Sequence, residues 1–71
     1  MSTFQVRCHE WGDNSDYLWT TCETLDGALQ CIKSFYEKDP YNIYEHLYVI
    51  EVAEDGTTCI PNWDRNTYEP L

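Results

Sequence analysis

The hydrophobic pattern of the chain changes its period at Thr24, and this change limits the fold more than any other feature. Before Thr24 apolar side chains alternate with polar ones, and after it they recur every three or four residues. The second spacing predicts one amphipathic helix of about four turns. Thr24 is the expected N-cap and Pro40 the expected stop signal. The apolar side of this helix carries Leu25, Ala28, Leu29, Ile32, Phe35 and Tyr36.

Two strand patterns precede the helix. Residues 4–10 alternate apolar and polar side chains, and residues 17–23 follow after a run of turn-forming residues. A turn centred on Asn14 would pair Val6 with Cys22, because hairpin strands run antiparallel. The buried side of this hairpin would then carry Phe4, Val6, Cys8, Leu18 and Cys22.

Two further strand patterns follow the helix. Residues 47–53 form a nearly continuous apolar run, which is typical of a central strand. Asp55 and Gly56 favour a type I′ hairpin turn, after which residues 57–60 return as a short strand. The order predicts an α+β fold, in which a small antiparallel β-sheet of ββαββ order packs one face against the amphipathic helix.

The length of 71 residues limits the chain to one domain. We assign residues 1–61 to it and residues 62–71 to a C-terminal tail, which either packs through Trp63 or stays loose. No apolar run approaches the roughly 20 residues that span a bilayer. The first residues do not show a basic stretch followed by an apolar one, so we expect a cytoplasmic protein with reduced thiols.

The cysteine spacing does not predict a metal or a cofactor. Cys-x-x-Cys and His-x-x-x-His pairs, which mark structural zinc sites, are missing from the sequence. The favoured interpretation is that the cysteines are small core side chains. An alternative stays open, in which separate elements assemble a zinc site from Cys8, Cys22, Cys59 and His46.

Catalytic motifs are also missing. The sequence contains no Gly-x-Ser-x-Gly, no glycine-rich phosphate loop and no His-Glu-x-x-His. A reactive cysteine needs a lowered pKa, whereas the many carboxylates of this chain would raise it. We therefore expect a protein that is not an enzyme.

The surface carries the remaining signal. The chain has 13 Asp and Glu against 4 Lys and Arg, a net charge of −9, so it repels phosphates and is not expected to bind nucleic acid directly. Its 3 Trp, 6 Tyr and 2 Phe exceed what so small a core encloses, so some rings must be exposed. Exposed rings beside carboxylates favour a protein-binding surface. The simpler alternative is that the acids only keep an aromatic-rich domain dispersed in water.

The predicted partner-binding residues combine acids and rings from turns and element ends. They are Asp13, Asp16, Glu37, Asp39, Tyr41, Tyr44, Glu45, Glu54, Asp55, Trp63 and Asp64. The expected partner is a larger protein with a basic surface, and neither nucleic acid nor a membrane. The main alternative is a self-associating module, in which exposed rings pair two copies as a homodimer.

The segment Glu23-Thr24-Leu25-Asp26-Gly27-Ala28-Leu29 resembles the strand-to-helix junction of the small phage inhibitor of bacterial RNA polymerase. That inhibitor binds through arginine on its next strand. Residues 47–52 contain no arginine here, so no functional residue is carried over. In size, charge and compactness the chain is similar to small acidic bacteriophage inhibitors, including anti-CRISPR and other anti-defence proteins. The resemblance implies a phage-encoded inhibitor in the host cytoplasm that blocks a basic, nucleic-acid-binding surface of a CRISPR effector or RNA polymerase, sometimes by mimicking phosphate spacing.

Overall fold

One helix packs on one face of a four-stranded antiparallel sheet in the computed structural model, which describes residues 2–41 and 45–71. The elements are β1 (Thr3–Glu10), β2 (Ser15–Cys22), α1 (Leu25–Lys38), β3 (Glu45–Val52), β4 (Thr58–Cys59), β5 (Trp63–Asp64) and β6 (Glu69–Pro70). The strand order in the main sheet is β2-β1-β3-β4, and a separate hairpin pairs β5 with β6. The predicted α+β fold of ββαββ order is therefore confirmed. Within the described ranges, no helix is long and apolar enough to cross a membrane.

Hydrogen bonds from nearby residues define both ends of α1. The Thr24 side chain accepts a hydrogen bond from the backbone N–H of Gly27 at 3.0 Å and so satisfies one of the free donors of the first turn. Asp26 lies in that first turn, where the helix dipole favours an acid. At the other end, the backbone N–H of Asp39 donates to the Phe35 carbonyl at 3.2 Å. The predicted helix and its N-cap are confirmed.

The core lies between α1 and the two inner strands, β1 and β3. The register pairs Val6 with Val49 and Cys8 with Leu47, so these side chains share the side of the sheet that faces the helix. The buried apolar set is Val6, Cys8, Ala28, Leu29, Ile32, Leu47, Val49 and Trp63. Burying each of the larger aliphatic side chains stabilises the fold by about 1.5–3 kcal/mol.

The predicted register of the first hairpin is wrong. Glu10 pairs with Ser15, so the loop comprises residues 11–14, with Asn14 in the left-handed region at φ 59°. Pairing near this loop therefore differs from the prediction by an odd number of residues, which turns a side chain to the other face. Leu18, predicted in the core, lies opposite Arg7 and is 48 % exposed.

A β-bulge restores the predicted face for the end of β2. The register shifts where β2 contains one extra residue, Trp19, between Leu18 and Thr20. Beyond it Val6 pairs with Thr20 and not with Cys22, but Cys22 still lies on the helix side and packs against the core. The Trp19 ring also lies against the helix, where it contacts Phe35.

The predicted type I′ turn between β3 and β4 is wrong as well. A type I′ turn needs positive φ at both central residues, whereas φ within loop 54–56 is positive at Gly56 alone, at 89°. The N–H of Gly56 donates to the Ala53 carbonyl at 3.0 Å, and the N–H of Ala53 donates to the Thr57 carbonyl at 2.9 Å. This is the three-residue hairpin loop in which glycine supplies one left-handed position.

Residues 62–71 contain the β5–β6 hairpin. Trp63 is 8 % exposed and belongs to the core, with the Tyr68 ring 5.8 Å from it. The Asp64 side chain accepts a hydrogen bond from the N–H of Asn66 at 2.8 Å and so supports the turn. The Arg65 guanidinium lies 4.5 Å from the centre of the Trp63 ring, within reach of a cation–π interaction.

Candidate protein-binding surface

The topology gathers several acids at one end of the sheet. β1 ends at Glu10, which lies directly opposite Ser15 at the start of β2 and Glu45 at the start of β3. The C-terminal half of α1 reaches the same end, because the N–H of Leu47 donates to the Tyr36 hydroxyl at 3.1 Å. We call this surface the acidic end and define it by Glu10, Asp13, Asp16, Glu37, Asp39 and Glu45.

Two features concentrate negative charge at the acidic end. Glu10 and Glu45 lie opposite each other on neighbouring strands, where like charges repel each other. Glu37 and Asp39 lie at the C-terminal end of α1, which is the negative end of the helix dipole, with Lys38 between them. A surface with this concentration of one sign of charge attracts groups of the opposite sign.

Asp16 links three strands on the open face, the side of the main sheet that α1 does not cover. Its carboxylate accepts hydrogen bonds from Tyr48 Oη at 2.6 Å and from Arg7 Nε at 3.0 Å. His9 Nδ1 lies 3.6 Å from the same carboxylate. The hydrogen bond from Tyr48, followed by that from Arg7, lowers the pKa of Asp16. Burial, helped by the bond to Asp16, raises the pKa of Tyr48.

An open cleft of about 440 Å³ lies beside this network. Its lining residues are His9, Trp11, Asn14, Asp16, His46, Tyr48, Ile60 and Arg65. His9 packs edge-on against Trp11 at 4.2 Å, and His46 stacks on Tyr48 at 6.3 Å. His9 Nε2 is buried and makes no hydrogen bond to the described residues. The open face thus combines rings and basic side chains next to the acidic end.

Several rings are exposed. Trp11 is 61 % exposed and Tyr41 is 90 % exposed, and both lie near the acidic end, in the β1–β2 loop and just after α1. Trp19 is 44 % exposed and contacts Phe35 edge-on at 5.4 Å. Trp63, also predicted to bind a partner, packs in the core instead of adding to the exposed surface. Tyr44 lies outside the described residues.

Two of the remaining predicted residues do not join the acidic end. Glu54 and Asp55 lie in the β3–β4 loop, at the opposite end of β3 from Glu45. Hydrogen bonds from the Thr57 backbone and hydroxyl, at 2.9 and 2.7 Å, lower the pKa of Asp55. Asp64 supports the β5–β6 turn, whose residues Asn66 and Thr67 line a groove with Glu37. The structure therefore assigns turn-forming roles to Asp55 and Asp64, and also to Asp13, whose carboxylate accepts a hydrogen bond from the Ser15 N–H at 3.1 Å.

The thiols do not converge on a metal site. Cys8 is buried, with its Sγ 3.8 Å from Glu45 Oε2, and burial raises its pKa. Cys22 lies near Cys31, whereas Cys59 is exposed on β4. Across residues 2–41 and 45–71, no three His, Cys, Asp or Glu side chains form a group that could hold a metal ion. The zinc alternative thus lacks a ligand cluster in this part of the chain.

The Asp16 network and the Glu10–Glu45 pair were not predicted from sequence. Alternation in residues 4–10 already places Arg7 and His9 away from the core. The sequence does not show which strand lies beside β1, because β1 pairs with β3, which follows only after the helix. The alternation therefore predicts which side chains lie on the open face, but not which side chains of other strands they contact.

Comparison with known proteins adds no relative. A scan of family models and searches of curated proteins and solved structures found no match to this chain.

Proposed function

We propose that this chain is a non-enzymatic protein-binding module whose acidic end covers a basic, nucleic-acid-binding surface of a larger protein. The observation that carries the proposal is the placement of Glu10 against Glu45, with Glu37 and Asp39 at the negative end of α1. These placements concentrate negative charge at one end of the domain. Lysine or arginine side chains of a partner would make favourable contacts with these carboxylates.

The exposed rings supply the apolar part of such an interface. Trp11 and Tyr41 are the most exposed tryptophan and tyrosine rings among the described residues and adjoin the acidic end. Tryptophan and tyrosine contribute much of the binding energy where they become buried against a partner, while surrounding charges set orientation and association rate. The proposed surface therefore consists of the acidic end with Trp11 and Tyr41.

The proposed biological role is inhibition. A compact acidic chain that occupies a basic channel excludes nucleic acid from it, because both compete for the same cations. Its resemblance in size and charge to bacteriophage inhibitors supports a phage-encoded protein acting on a host CRISPR effector or RNA polymerase.

Affinity capture tests this function. The immobilised chain is incubated with a bacterial lysate cleared of nucleic acid, and the bound protein is eluted with increasing salt or with added DNA or RNA. We expect to capture a nucleic-acid-binding protein, and we expect both high salt and added nucleic acid to release it from the immobilised chain. A partner that stays bound at high salt, or that binds nucleic acid and the chain together, would contradict the proposal.

Self-association is a second candidate, and β2 favours it. β2 is an eight-residue edge strand, with Leu18 and Trp19 48 % and 44 % exposed. Unpaired strand edges pair readily with a second chain. Sedimentation equilibrium over a range of concentrations tests this candidate. A tight dimer would support self-association, whereas a monomer at every concentration would contradict it.

A further inference from the structure

Cys22 and Cys31 form a dithiol between the sheet and the helix. Their Sγ atoms lie 3.9 Å apart, at the end of β2 and in the middle of α1. A disulfide requires about 2.05 Å, so the two sulfur atoms must approach by roughly 1.9 Å. The first turn of α1 also lies beside Cys22, because a Cβ added at Gly27 would lie 3.9 Å from Cys22 Cβ.

The two thiols differ in access. Cys31 lines an open groove of about 410 Å³ between β2 and α1, together with Trp19, Gln30, Ser34, Phe35 and Lys38. Cys22 and Cys31 are both partly buried and both pack against the core, but Cys22 is not among the residues that line this groove, and burial raises its pKa. A small reagent in the groove therefore meets Cys31 first, and Cys22 is placed to react second.

We propose that Cys22 and Cys31 are a redox modification site, which low-molecular-weight disulfides such as glutathione disulfide convert into an intramolecular disulfide. The Cys31 thiolate attacks one sulfur of glutathione disulfide, forms a mixed disulfide and releases one glutathione thiolate. The Cys22 thiolate then attacks the Cys31 sulfur and releases the second glutathione. The protein loses two protons and two electrons, and glutathione disulfide is reduced to two glutathione molecules.

The other two thiols do not compete for this reaction. Cys8 is fully buried among core side chains, with Glu45 beside it. Cys59 lies on β4, at the other edge of the sheet from β2. Exposed Cys59 can form a mixed disulfide with glutathione, but the fold provides it with no neighbouring protein thiol among the described residues.

Oxidation would link α1 covalently to β2, the edge strand of the sheet. The bond would close the short segment of residues 22–31, which contains the N-cap of α1. Because it restricts the unfolded chain, we expect the midpoint of thermal unfolding to rise by about 10 °C. The inference does not depend on the proposed function, since it needs no partner.

The experiment incubates the folded full chain with glutathione buffers of increasing oxidised fraction, blocks remaining thiols in acid and maps the disulfides by mass spectrometry. Cleavage after glutamate separates all four cysteines, because Glu10, Glu23 and Glu37 lie between them. We expect the Cys22–Cys31 disulfide to exceed every other pairing by at least about tenfold, because the folded chain holds these thiols together. The same treatment in denaturant should reduce that preference to the few-fold one that the short segment between these two cysteines retains in an unfolded chain.

Variants provide the control. Cys59→Ser should leave the Cys22–Cys31 disulfide unchanged, whereas Cys31→Ser should yield no intramolecular disulfide and no rise in the unfolding midpoint. The proposal is overturned if Cys22 and Cys31 remain alkylatable while Cys59 takes up glutathione. An equal mixture of pairings in the folded and the denatured chain would overturn it too.

Discussion

Asp16 is the residue through which three strands meet on the open face. It belongs to β2 and accepts hydrogen bonds from Arg7 on β1 and Tyr48 on β3. Because these bonds favour the charged carboxylate, the pKa of Asp16 lies below its ordinary value. The network therefore stabilises the fold at neutral pH, and this contribution is lost as the pH falls through the folded-state pKa.

Tyr48→Phe tests this network, since it removes the hydroxyl donor and keeps the ring. We expect the pKa of Asp16 to rise toward its ordinary value, as followed by carboxyl NMR titration. The variant should unfold at lower denaturant concentration than the parent at neutral pH, and the difference should close in acid. The pKa of Asp55 is the internal control and should not move. An unchanged Asp16 titration would contradict the role of Tyr48.

Gly56 is the residue whose backbone conformation shapes the β3–β4 loop. Its φ of 89° is strained for any side chain, so Gly56→Ala should cost on the order of 1–2 kcal/mol in the free energy of unfolding. Gly12→Ala is the matched control, because a Cβ there meets nothing within 4 Å and φ is not in the left-handed region. Urea denaturation of both variants measures the difference, and equal losses would refute the argument.

At the scale of elements, α1 depends on its N-cap. Thr24→Ala leaves the N–H of Gly27 without its side-chain acceptor and should cost about 1 kcal/mol in the free energy of unfolding. Thr24→Ser keeps the hydroxyl and should retain most of the stability. Denaturant unfolding of both variants, read by circular dichroism, provides the measurement. A loss as large for serine as for alanine would show that the hydroxyl is not what caps the helix.

The pairing of β1 with β3 predicts a substitution that raises the free energy of unfolding. Glu10→Gln removes one charge from the Glu10–Glu45 pair and keeps one side-chain oxygen, which can accept from either Ser15 or Tyr17; both bonds are long in the parent, at 3.5 and 3.4 Å, so stability should rise by about 0.2–1 kcal/mol. Salt should reduce this gain, because it screens the repulsion in the parent. Glu69→Gln, the same change in β6, is the control and should have little effect. A destabilised Glu10→Gln variant would show that the pair is not repulsive.

Elements were more predictable from sequence than their pairing. Local signals fixed α1 completely, because Thr24 and the spacing from Leu25 to Tyr36 act within the helix. The first hairpin was mispaired because its outcome depended on a four-residue loop and on the bulge at Trp19, neither of which the alternation encodes. The acids of the candidate surface could be named, but only the topology separates Glu37 and Asp39 from Glu54 and Asp55.

At the scale of the whole molecule, the fold determines where the charged side chains behind the net charge of −9 lie. The strand and helix ends bring Glu10, Glu37, Asp39 and Glu45 to one end, while Arg7 and Arg65 lie on or beside the open face. The interpretation that the acids only keep the domain dispersed predicts that any of them can be neutralised with equal effect. Our account predicts that position matters.

The most direct test compares two double variants with the same net charge. Glu37→Gln/Asp39→Asn neutralises part of the acidic end. Glu54→Gln/Asp55→Asn neutralises the β3–β4 loop and keeps a side-chain oxygen at position 55 that can accept the same hydrogen bonds. The measurement is the dissociation constant for the basic protein captured by the parent chain, at one moderate salt concentration. We predict a several-fold weaker complex for the first variant and an unchanged complex for the second. Equal weakening by both, or none by the first, would contradict the acidic end as the binding surface.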